Sequence, residues 1–249
     1  QKPVYITVIG QTRAEETTFV RTVTGPSSKP NDGNKSRNDS LEIIETVIDD
    51  RTIKLINTPS FDDSNRSELD ILEEAAGYFK EMYDSKVYLT GIIYLHRITD
   101  PMDEGLASRV LSHLDEICGP HFYGNIALTT VSWGMVSNRE GEDRERSLRT
   151  KDRHWLEFAK TGATMHRHDD TKESAISIIR HLLKKTPDVL SFQRHLADHG
   201  IIAKTAAGEM LVSRLAEMLE KAKKRIEEPE KDTEREKSER TTESKPAAE

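Results

Sequence analysis

The sequence predicts an α/β fold, a mostly parallel sheet with helices on both faces, plus a C-terminal helical extension. Three observations predict it. Val4–Ile9, Leu89–Leu95 and Asn125–Val131 are short apolar runs of the length and β-branched content of strands buried on both faces. Helical periodicity separates these runs, and alternation of strand with helix implies parallel pairing through crossovers. From Asp188 to about Glu228 only the helical pattern remains.

Each element has its own signal. Val4–Ile9 ends at Gly10, a strand meeting a turn, and residues 17–24 read as the helix that follows. Residues 25–39 are a polar loop rich in Pro, Gly and Asn. Leu41–Ile48 and Thr52–Ile56 flank Asp49-Asp50 and predict a hairpin. Leu69, Leu72, Ala76 and Phe79 mark a helix over 66–84. Leu106, Val110, Leu114 and Ile117 mark another that ends near Gly119. Glu142–Lys160 reads as one charged amphipathic helix with Trp155 and Phe158 inward. The last helix of the body covers 171–185, with Ile176, Ile179 and Leu183 on one side.

Composition bounds the function. The 249 residues carry a formal net charge of −7, which argues against a general nucleic-acid binder. A single cysteine, Cys118, excludes a disulfide framework or a multi-Cys zinc site and suits a reducing compartment. No apolar run approaches the roughly 20 residues of a membrane span. Residues 220–249 hold nine basic and ten acidic side chains with Ile226 as the one large apolar residue, the composition of a disordered tail. The expected organisation is a nucleotide-fold domain over 1–186, a helical extension over 187–228 and the charged tail over 229–249.

The first strand–turn–helix, ITVIGQTRAEETTFVRTVTG over Ile6–Gly25, carries most of the chemistry. A phosphate-binding P-loop is a strand, then G-x-x-x-x-G-K-[ST], then a helix. Gly10 fits the first position, Gln11, Thr12, Arg13 and Ala14 the spacer, and Thr17 the metal-holding hydroxyl, followed by Thr18. Glu15 and Glu16 stand where Gly and Lys belong. Further motifs follow in order: DDRTIKLINTPSFDD from Asp49, GIIYLHRITD from Gly91, NIALTTVSWGMV from Asn125, GATMHRHDDTKESA from Gly162 and TAAG from Thr205. Together, over about residues 4–225, these resemble fungal P-loop GTPase-like proteins related to the immunity-associated GTPases, whose first motif reads IAVMGVTGAGKSTFIRLVTG. The resemblance implies a P-loop NTPase-type sheet, GTP or GDP with Mg²⁺ as cofactor, switch behaviour, a fungal source and a cytoplasmic location.

The departures from that pattern all act against nucleotide. In a P-loop, backbone N–H groups at a helix N-terminus wrap the phosphates, and the Lys neutralises their charge. At ~4 Å and an effective dielectric of ~20 a unit charge pair is worth roughly 4 kcal/mol, so reversing it costs up to about twice that. A micromolar site is worth only about 8 kcal/mol in all. Glu16 in place of Lys is therefore enough to abolish binding. Carboxylates at a helix start are themselves stabilising, so Glu15 and Glu16 stand in for the missing anion. Arg13 has two readings: it pairs with these acids and fills the cradle, or it replaces the lysine.

The resemblance implies three switch positions, Ser40, Asn57 and Ser60. Asn57 in place of Asp loses support for a cation, and Ser60 in place of Gly stiffens a hinge. It also implies a base pocket at Thr130, Trp133 and His168, but Gly134 stands where the family has its acid. Trp133 reads either as a base-stacking ring or as a side chain buried at a strand end. His96 reads as a capped structural histidine. His166, Arg167, His168, Asp169 and Asp170 form a polar cluster, and Asp62-Asp63 with Glu15-Glu16 offers a divalent-cation alternative. Cys118 reads as a buried helix-end residue. The expectation is a degenerate copy, with no catalytic residue, that binds nucleotide weakly or not at all and acts on a protein partner. The alternatives are a GTP switch built on Arg13 and a divalent-cation binder. The C-terminal helix over 210–226 leaves a homodimer open.

Overall fold

The computed structural model describes residues 2–25, 41–58, 68–101 and 105–199, with Lys204, Thr205, Gly208, Glu209 and Ser213 beyond them. The elements run β1 (Val4–Gly10), α1 (Arg13–Thr24), β2 (Glu42–Ile48), β3 (Arg51–Asn57), α2 (Glu68–Asp84), β4 (Gly91–Arg97), α3 (Gly105–Cys118), β5 (Ile126–Val131), α4 (Asn138–Lys151), α5 (Arg153–Lys160), β6 (Thr164–Arg167), α6 (Lys172–Leu182) and α7 (Ser191–His199). The strands form one sheet in the order β2-β3-β1-β4-β5-β6. Only the β2–β3 pair is antiparallel; Ile6 pairs with Leu55 on one side and Gly91 on the other in the parallel centre.

Side-chain alternation divides the strands between two cores. Val4, Ile6, Val8, Ile53, Leu55, Ile93 and Leu95 pack with Phe19, Val20 and Val23 of α1 and with Ile178, Ile179 and Leu182 of α6. On the other face Ile9, Ile56, Ile92, Tyr94 and Leu128 pack with α2, α3, α5 and α7. Gly91 is required where β4 meets α6, because a Cβ there would lie 2.8 Å from Leu182 and 2.9 Å from the Asn125 carbonyl. Phe192 and Leu196 of α7 lie in the same core as α2 and α3, so the first helix after Asp188 packs on the body. The remainder of the extension and the tail lie outside the described residues, as does the polar loop over 26–39.

Asp49 and Asp50 both take left-handed backbones, φ 50° and 58°, as a two-residue hairpin turn of this kind requires. Arg180 of α6 holds Asp49 with a two-pronged ion pair at 2.7 and 2.8 Å.

Four expectations need correction. α1 starts at Arg13, not at residue 17, so the spacer of the motif is already helical. The predicted helix over 142–160 is two helices: Asp152 ends α4 and caps α5 by accepting from the Trp155 N–H at 3.0 Å. The strand predicted over 89–95 begins at Gly91, and Leu89 makes only an isolated bridge to Asp188. β6 was not anticipated as an element, because its four residues, TMHR, hold one apolar side chain at the sheet edge. No helix among the described residues is long and apolar enough to cross a membrane.

Candidate functional site

The C-terminal ends of β1, β3, β4, β5 and β6 open on one side of the sheet, the side where folds of this class hold ligands. The segments arriving there are Gly10–Thr12, Asn57–Thr58, Arg97–Asp100, Val131–Met135 and His168–Asp170.

At the loop after β1 two backbone donors are already bonded to side chains. Gly10 N–H donates to Glu16 Oε1 at 2.6 Å, and Thr12 N–H donates to Glu15 Oε2 at 2.9 Å. Glu15 is the third residue of α1, so its bond back to the residue preceding the helix is the carboxylate half of a capping box. Glu16 is fully buried, a position an anion tolerates only when hydrogen-bonded. Gly10 makes room for it: a Cβ on Gly10 would sit 3.2 Å from Glu16 Cγ. The first glycine of the motif therefore accommodates carboxylates.

The guanidinium that meets Glu15 comes from β4. Arg97 Nε lies 3.4 Å from Glu15 Oε1 and 3.0 Å from Asp100 Oδ1. Gln11 Nε2 donates to Asp100 Oδ2 at 2.5 Å, closing a chain from the loop through Asp100 and Arg97 back to α1. This network was not anticipated, since Arg97 and Asp100 are more than eighty residues from Glu15; GIIYLHRITD was their only sequence signal. The side chain of Arg13, the partner expected for the acids, lies outside the described residues, as do Ser40, Ser60, Asp62 and Asp63. Thr17 is half-buried and Ala14 and Thr18 are exposed on α1. Asn57 is buried and reaches Glu42 on β2 at 3.5 Å, and Thr58 Oγ1 donates to Val8 O at 3.5 Å. Neither bond is directed at the loop after β1.

Beside the closed loop is a cavity of about 430 Å³ bounded by α1 at Ala14–Phe19, by Val131–Met135 and by His168 and Asp170. Of the three expected base-pocket residues only His168 lines it. Trp133 donates its indole N–H to Thr130 Oγ1 at 3.1 Å and lies under Arg167, whose guanidinium is 4.2 Å from the ring. Gly141 of α4 admits the ring, as a Cβ there would come within 2.7 Å of it. Trp133 is thus packed between α4 and β6. Arg167 in turn forms a two-pronged pair with buried Glu145 at 2.5 and 3.0 Å, which raises its pKa further.

His96 and His166 pack against other rings of the fold. His96 is in the core with its ring edge-on to Trp155 at 5.6 Å, and neither ring nitrogen has a hydrogen-bond partner, so it is not capped. Burial pushes its pKa down to about 4. His166 pairs with Thr164 Oγ1 at 2.9 Å and stacks on His181 at 5.0 Å; burial lowers its pKa to about 4 as well. Among the described residues no group of three or more His, Cys, Asp or Glu is placed to hold a metal ion. Cys118 is buried, and burial raises its thiol pKa well above the ordinary value.

No family model matches the chain, and no curated protein matches it in sequence. Solved structures match in three dimensions. Toc33 from Arabidopsis thaliana in complex with GDP and Mg²⁺ has a TM-score of 0.57 at 12% identity, over 76% of this chain and 88% of that one. Toc33 with Mg²⁺ and GMPPNP has a TM-score of 0.50 at 12% identity, over 74% and 86%. A structure of the chloroplast translocon components atToc33 and psToc159, for which dimerization is important to GTPase activity, has a TM-score of 0.52 at 11% identity, over 73% and 82%. At these identities the likeness concerns architecture alone. The strand order, the crevice and these neighbours together give the chain the P-loop GTPase-like fold of a G domain.

Proposed function

We propose that this chain is a degenerate member of the fungal GTPase-like family related to the immunity-associated GTPases, a pseudo-GTPase that binds proteins in place of nucleotide. One observation carries the reading: Gly10 N–H is bonded at 2.6 Å to the buried carboxylate of Glu16, and two residues on Thr12 N–H is bonded at 2.9 Å to Glu15, the third residue of α1. Phosphate entering this loop would have to displace two carboxylates and then sit beside them. GDP and Mg²⁺ accompany the neighbouring Toc33 fold, but the residues present here do not fit that pair. The Gly10 and Thr12 donors are occupied, Glu16 stands at the lysine position and Asn57 at that of the supporting Asp. The network of Gln11, Glu15, Arg97 and Asp100 supports a loop held in one state rather than a switch.

The proposed partners are proteins, a second copy of the chain among them, in line with the dimerization named for atToc33. Calorimetric titration with GTP and GDP in the presence of Mg²⁺ tests the reading. The expected result is no saturable heat at micromolar nucleotide and no phosphate release. Low-micromolar binding with turnover would establish a working GTPase instead.

A further inference from the structure

We propose that the cavity beside the closed loop receives an arginine side chain from a partner protein. The inference rests on the reading of the chain as an interaction module and gives that module a recognition element.

The charged groups of the cavity are carboxylates, Glu15 and Asp170, set beside His168 and the hydroxyls of Thr18 and Ser132. His168 lines it and is 1% exposed. Ser174 Oγ has one proton and two acceptors within reach, Thr171 O at 2.9 Å and His168 Nδ1 at 2.7 Å; in the arrangement proposed that proton lies on Thr171 O, and Nδ1 carries the ring proton. His168 Nε2 is then a bare lone pair. It has no hydrogen-bond partner and faces Asp170 Oδ1 across 3.9 Å. Burial lowers the His168 pKa, which keeps the ring neutral and its lone pair available. A buried acceptor facing a carboxylate calls for a donor between them.

Charge and shape narrow the donor. Among the described residues, Glu15 and Asp170 line the cavity and no Lys or Arg does. Glu15 shares its charge with Arg97, so the unspent charge is that of Asp170. A guanidinium offers several N–H groups in one rigid plane, enough to reach the imidazole lone pair and the carboxylate together; an ammonium is a point charge without that fork. Ser132 and Asp170 hold the rim in left-handed backbones, φ 62° and 61°, strain of the kind that collects at binding sites. Met135 at the same rim is 76% exposed. A protein chain carrying the arginine would cover that side chain, and a free guanidinium compound would leave it in water.

Amide NMR titration of the full chain tests this with three probes: N-acetyl-arginine methylamide, its uncharged citrulline counterpart and the peptide acetyl-Leu-Arg-Leu-amide. The arginine probes should move the amides of Ser132–Met135 and Asp169–Thr171 saturably, and the citrulline probe should not. Asp170→Asn should weaken binding by roughly tenfold, the loss of one charge-assisted hydrogen bond. Asn tolerates the left-handed backbone, so this variant folds. The tripeptide should bind more tightly than the capped residue and lose that gain in Met135→Ser. Absence of saturation at these amides, or equal binding of citrulline, overturns the proposal. Equal affinity of the tripeptide and capped arginine overturns the protein source. GDP with Mg²⁺ moving the Gly10 and Thr12 amides would sink the pseudo-GTPase reading while leaving the arginine result to stand or fall separately.

Discussion

On the proposed reading, Glu16 reverses the purpose of a motif. In a phosphate loop the backbone donors wait for an external anion; here the chain supplies its own at 2.6 Å from Gly10 N. Removing the carboxylate with Glu16→Ala strands a buried donor, so the chain should lose about 1–3 kcal/mol of stability, measured by urea denaturation. A change near zero would mean the bond to Gly10 contributes nothing. The charge reversal at positions 15 and 16 was legible in the sequence, because it needs only the alignment of one short motif. The cation beside it was not. Arg97 reaches Glu15 only because β4 lies next to β1 in the sheet, with Leu95 paired to Gly10, and no local pattern states that adjacency. The tautomer of His168 is equally invisible, since it depends on where Ser174 sends its proton.

At the scale of elements, legibility followed burial. β4 and β5 are buried along nearly their whole length, and continuous apolar runs announced them. β6 is an edge strand of mixed polarity and announced nothing. The start of α1 was read late because Arg13–Glu16 carries no apolar periodicity; its helical state comes from Glu15 bonding back to Thr12. The break at Asp152 follows the same logic, with a capping side chain outweighing an otherwise continuous amphipathic pattern. The β4–α5 contact gives a pH dependence. His96 has a folded pKa of about 4 against an ordinary 6.5, lowered mainly by burial and partly offset by Asp100. The depressed value means that the unfolded chain takes up the proton first. Stability is therefore full above pH 6.5 and is lost as pH falls toward 4. Melting temperature should drop across that window, and His96→Phe, which keeps an aromatic ring between Tyr94 and Trp155, should flatten the drop. His166 leaves a residual slope, because it shifts in the same direction. An unchanged profile in His96→Phe would remove His96 as the cause.

For the whole molecule, the sheet order is that of a G-domain fold with a core on each face, while the proposed function gives the crevice at the strand ends a changed character. Two donors of the loop after β1 are bonded to acids, and the adjoining cavity carries the carboxylates of Glu15 and Asp170. Both changes favour cationic donors over anions, and both leave the apolar framework untouched, which is why the fold was readable from the sequence and the altered chemistry only partly so. The most direct test of this account is residue-resolved: amide NMR of Gly10 and Thr12 during addition of GDP with Mg²⁺. The account predicts that both resonances stay in place up to millimolar nucleotide, because their N–H groups remain on Glu16 and Glu15. Saturable movement of both at micromolar GDP would contradict it.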